Sequence, residues 1–224
     1  MMAQGNLTTE ESAKQILGKN FISIREVLGL FSTNLSQVSS YEIIPFSKEL
    51  LYRLGGSEIP FILFPGLPYY GRKLKPLTTQ FLMEGQQFGK FFDISEESRI
   101  PALFHINQSV CEPRWYLISK KVLSLEDFRK FILHQDFAKE DCSSEFMVVY
   151  IFAWIILHHL RGEELFMEGP VGCSDKTTTR GSVPEFYLKI YNKQISLMPW
   201  QPKNQDRPLK DLPMFVPSIF PYTS

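Results

Sequence analysis

Cysteine is scarce: Cys111, Cys142 and Cys173 are the only three among 224 residues. An odd count without a CxxC pair makes neither a disulfide framework nor a zinc knuckle, and three free thiols fit a reducing compartment. The two equal gaps between them mark no repeat, because the flanks CEPRWYLI, CSSEFMVV and CSDKTTTR share nothing. Excess charge of either sign is also missing, with 24 basic residues against 24 acidic ones. The longest basic stretches, Arg72–Lys75 and Lys120–Lys121, form no stripe, so no nucleic-acid partner is expected. Acidic residues pair only locally, as Glu10–Glu11, Glu96–Glu97 and Glu163–Glu164. Long apolar runs are absent as well. The strongest, Phe146–Leu157, falls short of the about 20 residues a bilayer span takes. The N-terminal residues lack the basic and apolar blocks of a secretory signal. A cytoplasmic protein with no membrane span is the expectation.

Catalytic signatures are missing too. There is no GxxxxGK[ST] phosphate loop, no GxSxG elbow and no HExxH pair. His158 and His159 are adjacent and point about 100° apart on a helix, so they cannot chelate together. His159 and Glu163 have i,i+4 spacing, but Gly162 ends the helix between them. No metal, no cofactor and no catalytic residue is therefore expected. The rival reading is a small hydrolase or transferase using Cys173 or a histidine. It requires a base and an orienting group gathered around the nucleophile.

What the sequence does have is a 44% apolar composition, enough for a sizeable core. Thr8 and Glu11 are spaced as a capping box ahead of a helix over Thr9–Leu17, stopped by Gly18. Ser23 and Glu26 repeat the spacing before Ile24–Phe31, and Ser47 caps Lys48–Leu54 ahead of Gly55–Gly56. Ile59–Phe64 is apolar throughout and reads as a buried strand closed by Pro65-Gly66. Leu77–Met83 predicts a helix, and Phe88, Phe91 and Phe92 a strand or packed loop. Arg114–Ile118 reads as a strand. Ser124 with Asp127 opens a helix over Leu125–His134, and Glu145–Arg161 is a helix apolar on every face, hence the centre of the core. Strand-like pieces follow at Glu164–Glu168 and Pro170–Ser174. Phe186–Tyr191 and Ile195–Trp200 form a hairpin around Asn192-Lys193-Gln194.

Alternation within that hairpin sorts its side chains. Phe186, Leu188, Ile190, Ile195 and Leu197 share an apolar face, while Tyr187, Lys189, Tyr191, Ser196, Met198 and Trp200 share the other. Rings with polar tips are what recognition surfaces use, so these six are the candidate ligand-binding residues. The competing reading is that other parts of the chain cover this face. Six prolines in the last 26 residues predict an extended tail laid over the surface, or a partly mobile one. The fold class is α+β: an N-terminal helical region with one buried strand over 1–105, a second α+β half over 106–200, and a Pro-rich tail over 201–224.

Several stretches resemble a family of uncharacterised bacterial proteins. They are ILGKNFI at 16–22 with Glu26-Val27, PFS at 45–47 leading to Leu50-Leu51, RWYLISK at 114–120, SEFMVVY at 144–150, GEELF at 162–166 and VGCSD at 171–175. The C-terminal half of such proteins resembles a C-type-lectin-like domain with β-α-α-β order, and some are variable targets of diversity-generating retroelements. The resemblance implies a non-catalytic module that binds a protein or small-molecule ligand, with the diversified stretch at Tyr187–Arg207. The lectin calcium signatures Glu-Pro-Asn and Trp-Asn-Asp are absent, so calcium-dependent sugar binding is not expected. A structural accessory protein of a mobile element is the further alternative.

Overall fold

The computed structural model describes residues 7–33, 41–84, 87–91, 110–124, 126–127, 130–131, 142–143, 147–165, 171–176, 185–191, 194–199, 216 and 218–219. Side-chain caps organise the first third. Thr9 closes the start of α1 (Glu10–Leu17), its hydroxyl accepting from the Ser12 N–H at 3.3 Å. The cap expected at Thr8 moves one residue on, because Thr8 is drawn into β1 (Leu7–Thr8) and donates its hydroxyl to the Phe46 carbonyl. Gly18 ends α1 at φ +56°, a backbone conformation that costs glycine little. The capping box of α2 (Ile24–Leu30) forms as expected. The Ser23 hydroxyl accepts from the Glu26 N–H, and the Glu26 carboxylate accepts from the Ser23 N–H at 2.9 Å. Ser47 ends β2 (Ile44–Ser47), which pairs antiparallel with β1, and caps α3 (Lys48–Gly55). α1 packs on α3, burying Ala13, Leu17, Leu50, Leu51 and Leu54.

The apolar run after α3 is β3 (Phe61–Pro65), with all five residues buried. It pairs antiparallel with β6 (Trp115–Ser119), also wholly buried, in the register Phe61↔Ser119 to Pro65↔Trp115. Strands covered on both faces read as continuous apolar runs, which is why neither alternates. β7 (Cys142–Ser143) and β11 (Ser218–Ile219) complete a four-stranded sheet of order β3-β6-β11-β7. Between β3 and β6 the chain makes a small hairpin of β4 (Tyr69–Tyr70) and β5 (Lys75–Pro76), followed by α4 (Thr79–Glu84). Phe88 is buried and Gly89–Phe91 forms a single 3-10 turn in place of a strand.

α5 (Met147–Arg161) is the core rod. Every residue from Met147 to Leu157 is at most 1% exposed. Phe152 stacks on Phe31 at 5.3 Å and meets Phe64 at 6.2 Å, so the helix covers one face of the β3–β6 pair. Phe61 points to the opposite face, where its ring stacks on Phe131 in the helical stretch that follows Ser124 and Asp127. Each large side chain so buried contributes roughly 1.5–3 kcal/mol. A second, three-stranded antiparallel sheet of order β10-β9-β8 comprises β8 (Val171–Lys176), β9 (Glu185–Tyr191) and β10 (Gln194–Pro199). β8 and β9 lie against α5, and Val171, Leu188 and Ile195 are buried.

Helices with antiparallel sheets make the chain α+β. Within the expected tail, residues 216, 218 and 219 differ from expectation, and the rest of 201–224 lies outside the described residues. Ser218 and Ile219 occupy an inner position between β6 and β7, with Val216, Ser218 and Ile219 at most 2% exposed. Proline lacks a donor for a ladder, but Ser218 and Ile219 keep theirs, so a two-residue strand fits between the prolines. The four-stranded sheet thus draws members from 1–105, 106–200 and 201–224 alike. No described helix is long and apolar enough to cross a membrane.

Candidate functional site

The candidate surface is built on β9 and β10. Their ladder sets Tyr187 opposite Met198, Lys189 opposite Ser196 and Tyr191 opposite Gln194. On the alternate positions Leu188 faces Leu197 and Ile190 faces Ile195. Directly opposed residues of an antiparallel pair share a face, so this register makes the two sets that alternation predicts. Leu188 and Ile195 are 0% and 1% exposed, which assigns their face to the core. Ser196, on the other face, is partly exposed. The hairpin therefore brings Tyr187, Lys189, Tyr191, Ser196 and Met198 to one side of one sheet. Trp200 lies outside the described residues.

The nucleophile and metal alternatives fare differently. Cys111 is buried, and its thiol donates to the Val148 carbonyl at 3.8 Å. Burial, with the Cys111 sulfur nearby as the lesser cause, raises the pKa of Tyr41, whose hydroxyl donates to the Gly66 carbonyl. Cys142 lies in β7 and Cys173 in β8, both within strands. His158 and His159 stand in the last turn of α5, where their rings serve as packing surfaces. His158 stacks flat on Trp154 at 4.9 Å, and His159 meets Phe88 edge-on at 5.4 Å. Burial, then the neighbouring His158 and Lys90, lowers the pKa of His159. His105 and His134 lie outside the described residues.

Glu163 is held by cations. Lys19 approaches its carboxylate at 2.9 Å and Lys120 contacts the other oxygen. Burial pushes this carboxyl upward, yet the two lysines outweigh burial and its pKa is lowered. Arg161 joins the end of α5 to the N-terminal segment, donating to the Phe21 and Lys19 carbonyls and to Glu26 at 2.7 Å. Glu26 is likewise pushed up by burial and brought net downward by hydrogen bonds from Ser23 and Arg161. These charges fasten the end of α5 to the segment Lys19–Phe21 after α1, to α2 and to the end of β6. Among the described residues no three His, Cys, Asp or Glu side chains converge as a metal site would.

A second surface has no counterpart among the sequence expectations. The β4–β5 hairpin carries Tyr69 and Leu74 exposed at 41% and 39%, with Arg72, Lys73 and Lys75 exposed beside them. Its base is fixed. The Tyr70 ring stacks on Phe81 of α4 at 3.7 Å, Leu77 donates to the Pro68 carbonyl at 2.8 Å, and Gly71 donates to the Phe31 carbonyl and the Thr33 hydroxyl. Leu74 sits at φ +51°. For a residue with a Cβ that conformation costs roughly 1–2 kcal/mol. The sequence signal is Tyr-Tyr-Gly-Arg-Lys-Leu-Lys-Pro, which reads as a basic stretch until the turn gathers Arg72, Lys73, Leu74 and Lys75 on one hairpin with Tyr69.

Comparison with protein-family models, with curated proteins and with solved structures finds no match to this chain.

Proposed function

We propose that the protein is a non-catalytic binding module of the C-type-lectin-like kind, and that the face of β9–β10 bearing Tyr187, Lys189, Tyr191, Ser196 and Met198 is its contact surface for a protein or small-molecule ligand. The observation that carries this reading is the hairpin register, with Leu188 and Ile195 buried against the core and Ser196 partly exposed on the reverse. A pleated ribbon fixed by one apolar face holds the side chains of its other face at set spacings. Preorganisation of that kind lowers the ordering cost of binding. Tyrosines supply large contact area with few rotatable bonds, and the lysine and serine add directional polar groups.

The test uses paired substitutions and site-specific crosslinking. Tyr187→Ser with Tyr191→Ser should leave stability within about 0.5 kcal/mol, the usual range for surface changes. Leu188→Ala or Ile195→Ala should cost about 2–5 kcal/mol. A photoreactive phenylalanine at position 191 should give a discrete adduct in the source cells that position 52, an exposed control at 65%, does not. Unfolding of the double tyrosine variant, or identical adducts at 191 and 52, would refute the assignment.

A further inference from the structure

We infer that the β4–β5 hairpin is a docking tip for an anionic lipid surface, with Leu74 and Tyr69 entering the headgroup region and Arg72, Lys73 and Lys75 facing its phosphates. Four observations converge on this tip. Three cationic side chains stand exposed within four consecutive residues, and among the described residues none of them is ion-paired with an acidic group. The chain as a whole carries no net charge, so this concentration is local and not a by-product of composition. An aliphatic side chain is 39% exposed at the same turn, on a backbone conformation that leucine disfavours. The base of the hairpin is clamped by the Tyr70–Phe81 stack and by hydrogen bonds to Phe31 and Thr33, so the tip projects from a fixed support.

Leu74 decides the class of partner. A leucine forms no hydrogen bond or ion pair with a phosphate or a base edge, whereas at a membrane interface its transfer out of water is favourable. Tyrosine is enriched at that interface because its ring is apolar and its tip is polar. Basic side chains with long apolar stems complete the pattern, since their heads stay at the phosphates while the stems lie along the acyl boundary. The attraction is electrostatic and is therefore screened by salt.

The experiment is co-sedimentation of the full-length protein with phosphatidylcholine vesicles, with and without phosphatidylserine. Binding should require phosphatidylserine, weaken at high ionic strength and persist in the presence of inorganic phosphate. The triple variant Arg72→Gln, Lys73→Gln, Lys75→Gln should lower partitioning roughly a hundredfold, at about fivefold per cation. Leu74→Asn is the separating variant. Asparagine tolerates the left-handed conformation, so thermal stability should hold or rise while vesicle binding falls. Equal binding to neutral vesicles, or no loss in either variant, would overturn the proposal. So would binding to an oligonucleotide or an acidic peptide in preference to vesicles.

Discussion

Substituting Gly66 by alanine tests the way the core is assembled. Gly66 follows β3 and lies against the loop leading into β6. A Cβ built on it would sit 2.4 Å from the Glu112 carbonyl oxygen, 2.5 Å from Cε2 of Tyr116 and 3.2 Å from Cβ of Cys111. Two of these contacts are about 1 Å closer than ordinary van der Waals approach. The backbone cannot slide away easily. The Gly66 N–H donates to the Arg114 carbonyl at 2.8 Å, and its carbonyl accepts from the buried Tyr41 hydroxyl. Relief requires moving the Tyr116 ring, which stacks on Phe64 at 5.5 Å, or breaking one of those hydrogen bonds. Overpacking costs about 1–3 kcal/mol, and a buried polar group left unpaired adds about 1–3 kcal/mol. Gly66→Ala should therefore lose about 2–6 kcal/mol, a large share of the about 5–15 kcal/mol that holds a typical fold. At about 2–4 °C per kcal/mol for a chain of this size, Tm should drop by roughly 4–24 °C. Gly29 is the control. It lies within α2, and a methyl group added there would meet no neighbouring group within 4 Å. Gly29→Ala should gain about 0.5–1 kcal/mol. Urea titration of both variants reads the two differences. A Gly66→Ala protein as stable as the parent would refute the packing described for β3 and β6.

Other outcomes follow from particular contacts. Tyr150 donates its hydroxyl to the Val216 carbonyl at 3.1 Å, so Tyr150→Phe should cost about 1–3 kcal/mol by urea titration, and removal of residues 212–224 should cost more because β6 and β7 lose the strand between them. Ser23→Ala should cost about 1 kcal/mol through loss of the α2 cap, measured by thermal denaturation. Acidification should act in two windows. His159 has a folded pKa below its ordinary 6.5, so the unfolded chain takes up its proton first and stability falls as pH drops from about neutral through 6.5 toward the folded value. His159→Gln should flatten that window in a pH series of melting curves. Glu26 and Glu163 have folded pKa values below their ordinary 4.5, so their contribution is present above 4.5 and disappears as pH falls through the folded values. Lys120→Gln and Arg161→Gln should shrink this lower window while leaving the upper one in place.

Much of the fold was legible because its signals are local. Ser23, Ser47 and the helix-ending Gly18 act on residues three or four positions away, and the caps at Ser23 and Ser47 fall where the spacing placed them. The shift of the first cap from Thr8 to Thr9 has a nonlocal cause, since only pairing with β2 takes Thr8 out of contention. The two-residue strands β1, β4, β5, β7 and β11 are too short for any alternation to register. For the candidate site, period-two alternation told which residues of β9 and β10 share a face, and the ladder register agrees. The tip at Tyr69–Pro76 was hidden because its grouping depends on the turn, not on spacing along the chain.

By itself, then, the order of side chains determined several helices and the two long buried strands β3 and β6, where several helices begin, and that Met147–Leu157 must be enclosed, because an all-apolar helix has no face to offer water. Apart from the β9–β10 hairpin, which strands meet was settled only in three dimensions. Ile219 pairs with Leu117 and Cys142 because folding brings three distant segments together, and hydrogen bonds between such segments leave no spacing for a sequence to display.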